Sequence, residues 1–301
     1  MSDIAQGVIV TAKRLQSRDS RKTTATLFHA IHEGSFLPHT ASFDQTYPAM
    51  QKINVIIVAK NEAHDIRDCI LSVQPWADDI IVFDSGSTDG TPQICRDLGA
   101  RVFETDWPGD GPQKNRALAE ASGDWVLCLD ADERVSTELA SEIRQLLIDG
   151  SVHAAFSTRR SSSFCGRFMK HSGWWPDWIE RLFKRGSARF TDVRTHTHLE
   201  VTGTTGRLRG TILHLSIPDI AESLAKANDY STAGALTMFE RGKRSSLGKA
   251  IFKGLWAFFR TYFLRLGFLD GQEGFLLAIA NAEGTYYRYV KLMLLGRQAK
   301  Q

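Results

Sequence analysis

The chain has 301 residues, 43% of them hydrophobic and 24% charged, with a formal net charge of +3. That is the composition of an ordinary globular chain and not of a disordered or fibrous one, with enough length for one large domain or two small ones. The charge is uneven: residues 241–301 hold 11 Lys+Arg against 3 Asp+Glu, which leaves a net of −5 on the other 240 and predicts a basic C-terminal region suited to an anionic partner or to a solvated helix face.

Residues 1–49 are rich in Ser, Thr, Lys, Arg and His without a stable period, and read as a mobile N-terminal extension with no sustained apolar run of the secretory type. From there strand and helix patterns alternate. "INVIIVA" (53–59) is an apolar, β-branched run that predicts a buried strand, and "HDIRDCILSVQ" (64–74) has helical spacing. "DIIVFD" (79–84) is a second strand, and "TPQICRDLG" (91–99) a short helix with Pro92 at its start and Gly99 at its end. "ARVFE" (100–104), helix 112–122 and strand "DWVLCLD" (124–130) follow, then a helix over 136–149 capped by Ser136. Such alternation predicts an α/β fold with a mainly parallel central sheet flanked by helices.

Past residue 150 the regularity breaks. Residues 152–215 hold short strand-like pieces around a loop dense in Arg, Trp and His, and three helices are expected over 218–243, 248–268 and 272–295. On a wheel for 249–266, Lys249, Lys253 and Arg260 share a stripe opposite Ile251, Phe252, Leu255, Phe258, Phe259 and Phe263. A basic, aromatic amphipathic helix suits an anionic membrane surface, and the same face suits packing on the catalytic domain. Lys253, Arg260 and Arg265 within 251–268 argue against a spanning helix. The four cysteines show no metal-ligand spacing, and Cys69, Cys95 and Cys128 sit in apolar patterns as buried free thiols do in a reducing compartment.

The chemistry gathers where the strands end. In an open α/β sheet, ligands lie at the carboxyl ends of the strands. Strand 124–130 delivers Asp130 and Asp132, and its neighbours deliver Asn61, Glu62 and Asp84. Carboxylates from three strands repel one another unless something positive stands between them. A hard cation such as Mg²⁺ or Mn²⁺, taking one or two carboxylates plus waters and phosphates, answers that need. Asp84 before "SGSTDGT" fits a nucleobase N–H or ribose hydroxyl, or the cap of the next helix, and Asp89 fits the capping role better than a ligand role. Lys114 and Arg116 open a helix, where cations oppose the dipole, so each meets an anion there or forms a solvated surface pair.

The stretches "VIIVAKNEA", "ADDIIVFDSGSTDGT" and "GPQKNRALAEASGDWVLCLDADERV" resemble the family 2 glycosyltransferases with their GT-A nucleotide-sugar fold. "GRFMKHSGWWPDWIERLFKR", "LHLS" and "LDGQEGFLLAIANAEGTYYRY" are similar to the bacterial lipopolysaccharide inner-core glucosyltransferases, which extends the resemblance over about 53–295. One departure stands out: relatives often carry "VHE" where this chain has "THT" (195–197), which keeps His196 and replaces the acid by Thr197.

The resemblance implies a GT-A catalytic domain over 50–217, with a nucleotide-sugar half (50–150) and an acceptor half (151–217), and a helical region over 218–301. It implies inverting transfer of a hexose, glucose foremost, from a UDP-sugar to a lipopolysaccharide core or other lipid-linked glycan. That places the chain in the cytoplasm, peripheral on the inner face of the bacterial inner membrane, with no nucleic-acid partner. A divalent metal is expected on Asp132, with Asp130 near the ribose and Ala59, Asn61, Glu62, Asp84 and Lys114 on the donor. The base belongs to the second half, where Asp177 is chosen over Glu180, with a salt bridge to Arg181 or Arg185 as its plainer role. Trp175 offers a flat platform for a sugar, Arg181 a diphosphate contact, and His196 or His214 a further metal ligand or a hydrogen-bonded core histidine. Two rivals remain open: a nucleotidyltransferase, which needs a Gly-rich loop that "AKNEAHD" lacks, and a non-catalytic membrane-surface adaptor.

Overall fold

The computed structural model describes residues 50–192 and 197–299. The expected N-terminal extension and His196 lie outside the described residues.

The alternation predicted for the first half holds. Strands β1 (Ile53–Ala59), β2 (Asp79–Asp84), β3 (Arg101–Glu104) and β4 (Trp125–Asp130) pair in parallel in the order β3-β2-β1-β4. Their apolar runs are continuous because both faces are covered. Ile53, Val55 and Ile57 pack with Ile66 and Ile70 of α1 (Ile66–Val73) and Cys95 of α2 (Thr91–Asp97), while Ile56 meets Val126, Cys128 and Ala117 of α3 (Asp110–Ala119). Cys69, Cys95 and Cys128 are buried free thiols. After β4 the chain makes the short β5 (Glu133–Val135) and enters α4 (Thr137–Asp149), where the Ser136 hydroxyl accepts from the Leu139 N–H at 3.2 Å as the cap motif predicts.

The second half is more regular than its sequence. Two long strands, β6 (Ala155–Phe164) and β11 (Thr205–Ile217), run parallel to each other. The Trp-rich stretch, expected to be a loop, is half strand: β8 (Asp177–Lys184) lies between β4 and β6, antiparallel to both. β7 (Arg167–Phe168) pairs with β6, β5 closes the far edge on β11, and β9 (Ala188–Phe190) with β10 (Leu199–Val201) forms a separate ribbon. The sheet is thus parallel where the donor residues were expected and mixed beyond it.

Three helices follow: α5 (Ile220–Glu240), α6 (Leu247–Phe259) and α7 (Gly271–Gln298). The helix expected over 248–268 stops short. A π-turn spans Arg260–Leu264, Leu266 takes a left-handed φ of 55°, and Gly267 sits where a Cβ would meet the Thr261 carbonyl at 2.7 Å. α6 turns its small residues Ala250, Gly254 and Ala257 inward, Gly254 against Tyr286 of α7. Ile251, Phe252, Leu255, Trp256, Phe259 and Phe263 remain exposed, so this apolar face does not pack on the catalytic domain. No described helix is long and apolar enough to cross a membrane.

Candidate active site

At the ends of β1 and β2 two turns interlock. Asp84 is fully buried. Its Oδ1 accepts from the N–H groups of Gly86 (3.0 Å) and Ser87 (2.8 Å), and its Oδ2 from the Ser87 hydroxyl. The same hydroxyl accepts from the N–H of Asn61 at 2.7 Å, and the Asn61 Oδ1 accepts from the Thr88 N–H at 2.8 Å. Asn61 reaches this position with φ 58°, a conformation asparagine tolerates better than most residues. Ala59 pairs with Asp84 in the ladder, and its carbonyl accepts from the Ser85 N–H at 2.9 Å. Asp89 takes the turn role expected of it, bonding the Ala63 N–H and Thr91. Asp84 therefore builds the loop that a ligand would meet, with its own carboxylate turned inward.

The carboxylate that ends β4 is not left to an external cation. Asp130 pairs with Lys114 of α3 at 2.9 Å and with Arg181 of β8. Arg181 also meets Glu133 at 2.7 Å, Glu133 lies 3.5 Å from Arg160 of β6, and Arg160 donates twice to Asp177 Oδ2, at 2.9 and 2.8 Å. Cations and carboxylates thus alternate from Lys114 to Asp177. Burial alone would raise the pKa of Asp130, but Arg181 and Lys114 hold it well below the usual carboxylate range. Arg181 reaches this place through a β-bulge, since Ser157 of β6 pairs with Glu180 while Phe156 pairs with Leu182. So Lys114, expected on an anion of the donor, and Arg181, expected on the diphosphate, are engaged by Asp130, and Arg116 forms the plainer surface pair with Asp106 at 2.7 Å. Arg185 donates to the Gly123 carbonyl, and the partner of Asp177 is Arg160 and not Arg181 or Arg185.

Two acids at this edge have no ammonium or guanidinium bonded to them among the described residues. Asp132 Oδ2 lies 3.0 Å from His214 Nε2, and the other ring nitrogen of His214 bonds the Ser162 hydroxyl at 2.9 Å. Glu62 is half-buried, and burial, with repulsion from Asp132 and Asp65, pushes its pKa up to about 7. Among the described residues no group of three or more His, Cys, Asp or Glu is arranged to hold a metal ion. Two neighbouring carboxylates nevertheless fit Mg²⁺ or Mn²⁺, which take one or two from the protein and the rest from waters and substrate phosphates.

Beside His214 opens a polar pocket of about 330 Å³ lined by Arg160, Ser162, Trp174, Pro176, Asp177 and Ser216. Trp175 is not among them. It faces a second cleft with Arg159, Ser161 and Leu213, across the sheet from Arg160, Ser162 and His214, and its ring lies 5.3 Å from the Arg159 guanidinium. Glu180 is exposed and lines neither cavity. The structure thus brings His214 and Asp177 to one pocket, with Asp132 bonded to His214, and leaves Trp175 and Glu180 outside it. Three participants were missed in the sequence: Glu133, Arg160 and Trp174. Glu133 had a signal, an acid between Ala131 and Val135 in an otherwise apolar alternation.

Residues 54–210 match the model of glycosyl transferase family 2. The chain belongs to that family. An uncharacterized glycosyltransferase, RP128, of Rickettsia prowazekii is 31% identical over 254 residues, covering 81% of this chain and 87% of that one. The lipopolysaccharide core biosynthesis glycosyltransferase LpsC of Rhizobium meliloti is 30% identical over 256 residues, covering 79% of this chain and 93% of that one. Among solved structures, glucosyl-3-phosphoglycerate synthase of Mycobacterium tuberculosis, in complex with Mn²⁺, UDP and phosphoglyceric acid, aligns at 30% identity and a TM-score of 0.33, over 36% of this chain and 43% of that one. For a family 2 glycosyltransferase of the GT-A fold, the nucleotidyltransferase reading falls away.

Proposed function

We propose that this glycosyltransferase moves a hexose, glucose foremost, with inversion from a UDP-sugar to a lipopolysaccharide core or related lipid-linked glycan. The observation that carries the reading is the neighbouring pair Glu62 and Asp132, acids with no ammonium or guanidinium bonded to them among the described residues, with His214, the partner of Asp132, lining the pocket that holds Asp177. The likeness to LpsC supports the acceptor class.

The base would meet the interlocked turns at Asn61 and Ser87, with Asp84 fixing their shape, and Ala59 and Asp130 would border the ribose. The diphosphate would lie near Asp132 and Glu62, which would hold the divalent metal. Such a metal, when bound, neutralises charge on the leaving diphosphate. Asp177 would take the proton of the acceptor hydroxyl as that oxygen bonds to C1 of the sugar. The bond from C1 to the diphosphate oxygen breaks, and UDP leaves with the electron pair. Asp177 suits this role because Arg160 fixes its Oδ2, while Oδ1 makes no protein hydrogen bond among the described residues. Trp174 supplies the flat wall first sought in Trp175. His214 orients Asp132, and Lys114 and Arg181 hold Asp130 in place. The exposed apolar face of α6, with its basic stripe, would rest on anionic lipid at the inner face of the inner membrane.

The test is UDP release from a panel of UDP-sugars by the purified chain, with Mg²⁺, Mn²⁺ or chelator, with and without truncated lipopolysaccharide. Metal-stimulated release from one sugar, raised further by acceptor, is the expected result. Absence of release from every sugar would favour the non-catalytic adaptor.

A further inference from the structure

A further pocket, of about 320 Å³, lies between α5 and α7. It shares Trp174 and Ser216 with the pocket of Asp177. Its wall holds two cations, Lys226 and Arg288, with hydroxyls of Ser223, Tyr230 and Thr285, and no carboxylate. Lys226 is partly compensated, by Glu222 at 2.7 Å and the Ser216 carbonyl at 2.7 Å. Lys291, one turn beyond Arg288, bonds only neutral groups on Asn228, Ser231 and Thr232.

Arg288 is the unusual member. Among the described residues it has no ion pair and no hydrogen bond, and its Nε is buried without a partner. Arg288 as a whole is half-buried, and a buried donor left so costs about 1–3 kcal/mol, more when charged. The stem is nonetheless accommodated: it crosses Gly234, where a Cβ would meet Arg288 Nε at 2.8 Å and Cδ at 3.0 Å. A guanidinium fitted into a groove, unpaired, in a pocket without acids, is arranged for an anion that comes from outside. The volume exceeds that of a lone water, at about 30 Å³, by roughly tenfold, enough for a phosphate or carboxylate with part of the ring that bears it.

We propose that this pocket binds an anionic substituent of the acceptor, a phosphate or a carboxylate, and so selects which hydroxyl reaches Asp177. The inference rests on the acceptor reading above, and binding of the anion itself can be tested without it.

The experiment follows the arginine Nε–H resonances of the full chain during titration with inorganic phosphate and, separately, with acetate. Both are repeated with saturating UDP and Mn²⁺, whose own binding is read in the same samples. The signal missing in Arg288→Lys should move saturably with at least one anion, with or without UDP, and the anion that binds tighter tells phosphate from carboxylate. Gly234→Ala puts a better helix former into α5 while crowding Arg288, and should weaken the anion about tenfold. In transfer assays Arg288→Lys should raise the acceptor KM about tenfold and leave acceptor-independent hydrolysis of the UDP-sugar unchanged. A flat titration with both anions overturns the subsite whether or not UDP binds. A shift that UDP abolishes overturns it too and gives the pocket to the donor diphosphate. Equal losses of hydrolysis and transfer in Arg288→Lys would overturn the acceptor assignment.

Discussion

Asp130 and Asp132 stand one residue apart in the same motif and have opposite surroundings. Asp130 lies between two nearly buried cations, whereas the Asp132 carboxylate bonds His214 alone among the described residues. Their alanine variants should therefore fail in different ways. Asp130→Ala leaves Lys114 with Asp110 and Arg181 with Glu133 as their remaining carboxylates, a loss of up to about 3–5 kcal/mol. At roughly 2–4 °C per kcal/mol, Tm should fall on the order of 10 °C. Asp132→Ala should leave Tm within a few degrees and lower metal-stimulated turnover by about a hundred- to a thousandfold, the scale of losing one electrostatic stabiliser of the transition state. Normal turnover in Asp132→Ala with metal present would remove it from the site. Glu62 gives a pH signature. Its pKa is about 7 in the folded chain against 4.5 as the ordinary value. A raised carboxyl contributes stability that is fully present below pH 4.5 and is lost as pH rises through 7. In chelated buffer, urea midpoints between pH 4.5 and 8 should decline more steeply for the wild type than for Glu62→Gln. Parallel curves would mean that Glu62 is solvated and repels nothing. The reach from sequence to chemistry was partial at this scale. An acid at a strand end is visible in one dimension, but the cation beside it, Arg181 or Arg160, arrives from a strand about 50 or 30 residues away.

Strands with both faces in the core announce themselves, and strands that line a site do not. β1, β2 and β4 are apolar throughout, so their sequence showed them. β6 reads "AFSTRRSSSF" because Arg160 and Ser162 face one cavity and Arg159 and Ser161 the other, which erases the usual alternation. β8 is disguised further by the bulge at Arg181, a residue buried through charge and not through apolar area. α6 reverses the problem: its amphipathic pattern was plain, but the pattern did not say what the apolar arc meets. The structure removes the catalytic domain as the answer, since Phe252 and Leu255 are 63% and 68% exposed. An anionic membrane then makes a quantitative demand. Each basic residue near such a surface contributes about 1 kcal/mol, so replacing Lys249, Lys253 and Arg260 together by Gln should weaken partitioning into anionic vesicles about a hundredfold. High salt should reduce binding of the wild type more than of the variant, because screening acts on what the variant has lost. Equal co-sedimentation of the two proteins would leave the exposed face to another copy of the chain, a result that sedimentation velocity would detect as self-association.

Over the whole molecule, the C-terminal helices are tied to the site and do not merely follow it. Asp270, at the start of α7, is 1% exposed. Its carboxylate accepts from the N–H groups of Lys170 and His171 and from the Ser172 hydroxyl, each at 3.0 Å, and meets His171 Nδ1 at 3.1 Å. The Ser172 N–H donates to the Arg265 carbonyl at 2.8 Å, and Leu277 of α7 packs with Phe164 and Met169. The segment clamped in this way runs directly into Trp174 and Asp177. Two pieces of chain about 100 residues apart thus set one wall of the proposed acceptor pocket, which no local pattern reveals, although "LDGQEGF" stood out by resemblance. Removing the clamp should affect the acceptor half and spare the donor half. Asp270→Ala leaves two backbone donors and a hydroxyl without their acceptor, at about 1–3 kcal/mol for each that stays buried, so a clear fall in Tm is expected. Asp270→Asn keeps the shape with one acceptor oxygen and should fall between the two. Below both melting points, UDP affinity should change by less than about twofold, because the proposed nucleotide site lies at the ends of β1, β2 and β4. Transfer to acceptor should drop about tenfold or more as Asp177 loses its fixed approach, on the scale that small misplacements cost. If transfer at a temperature where the variants are fully folded equals that of the wild type, the clamp holds the fold alone, and the pocket around Asp177 is shaped by β6 and β11 without help from the helices.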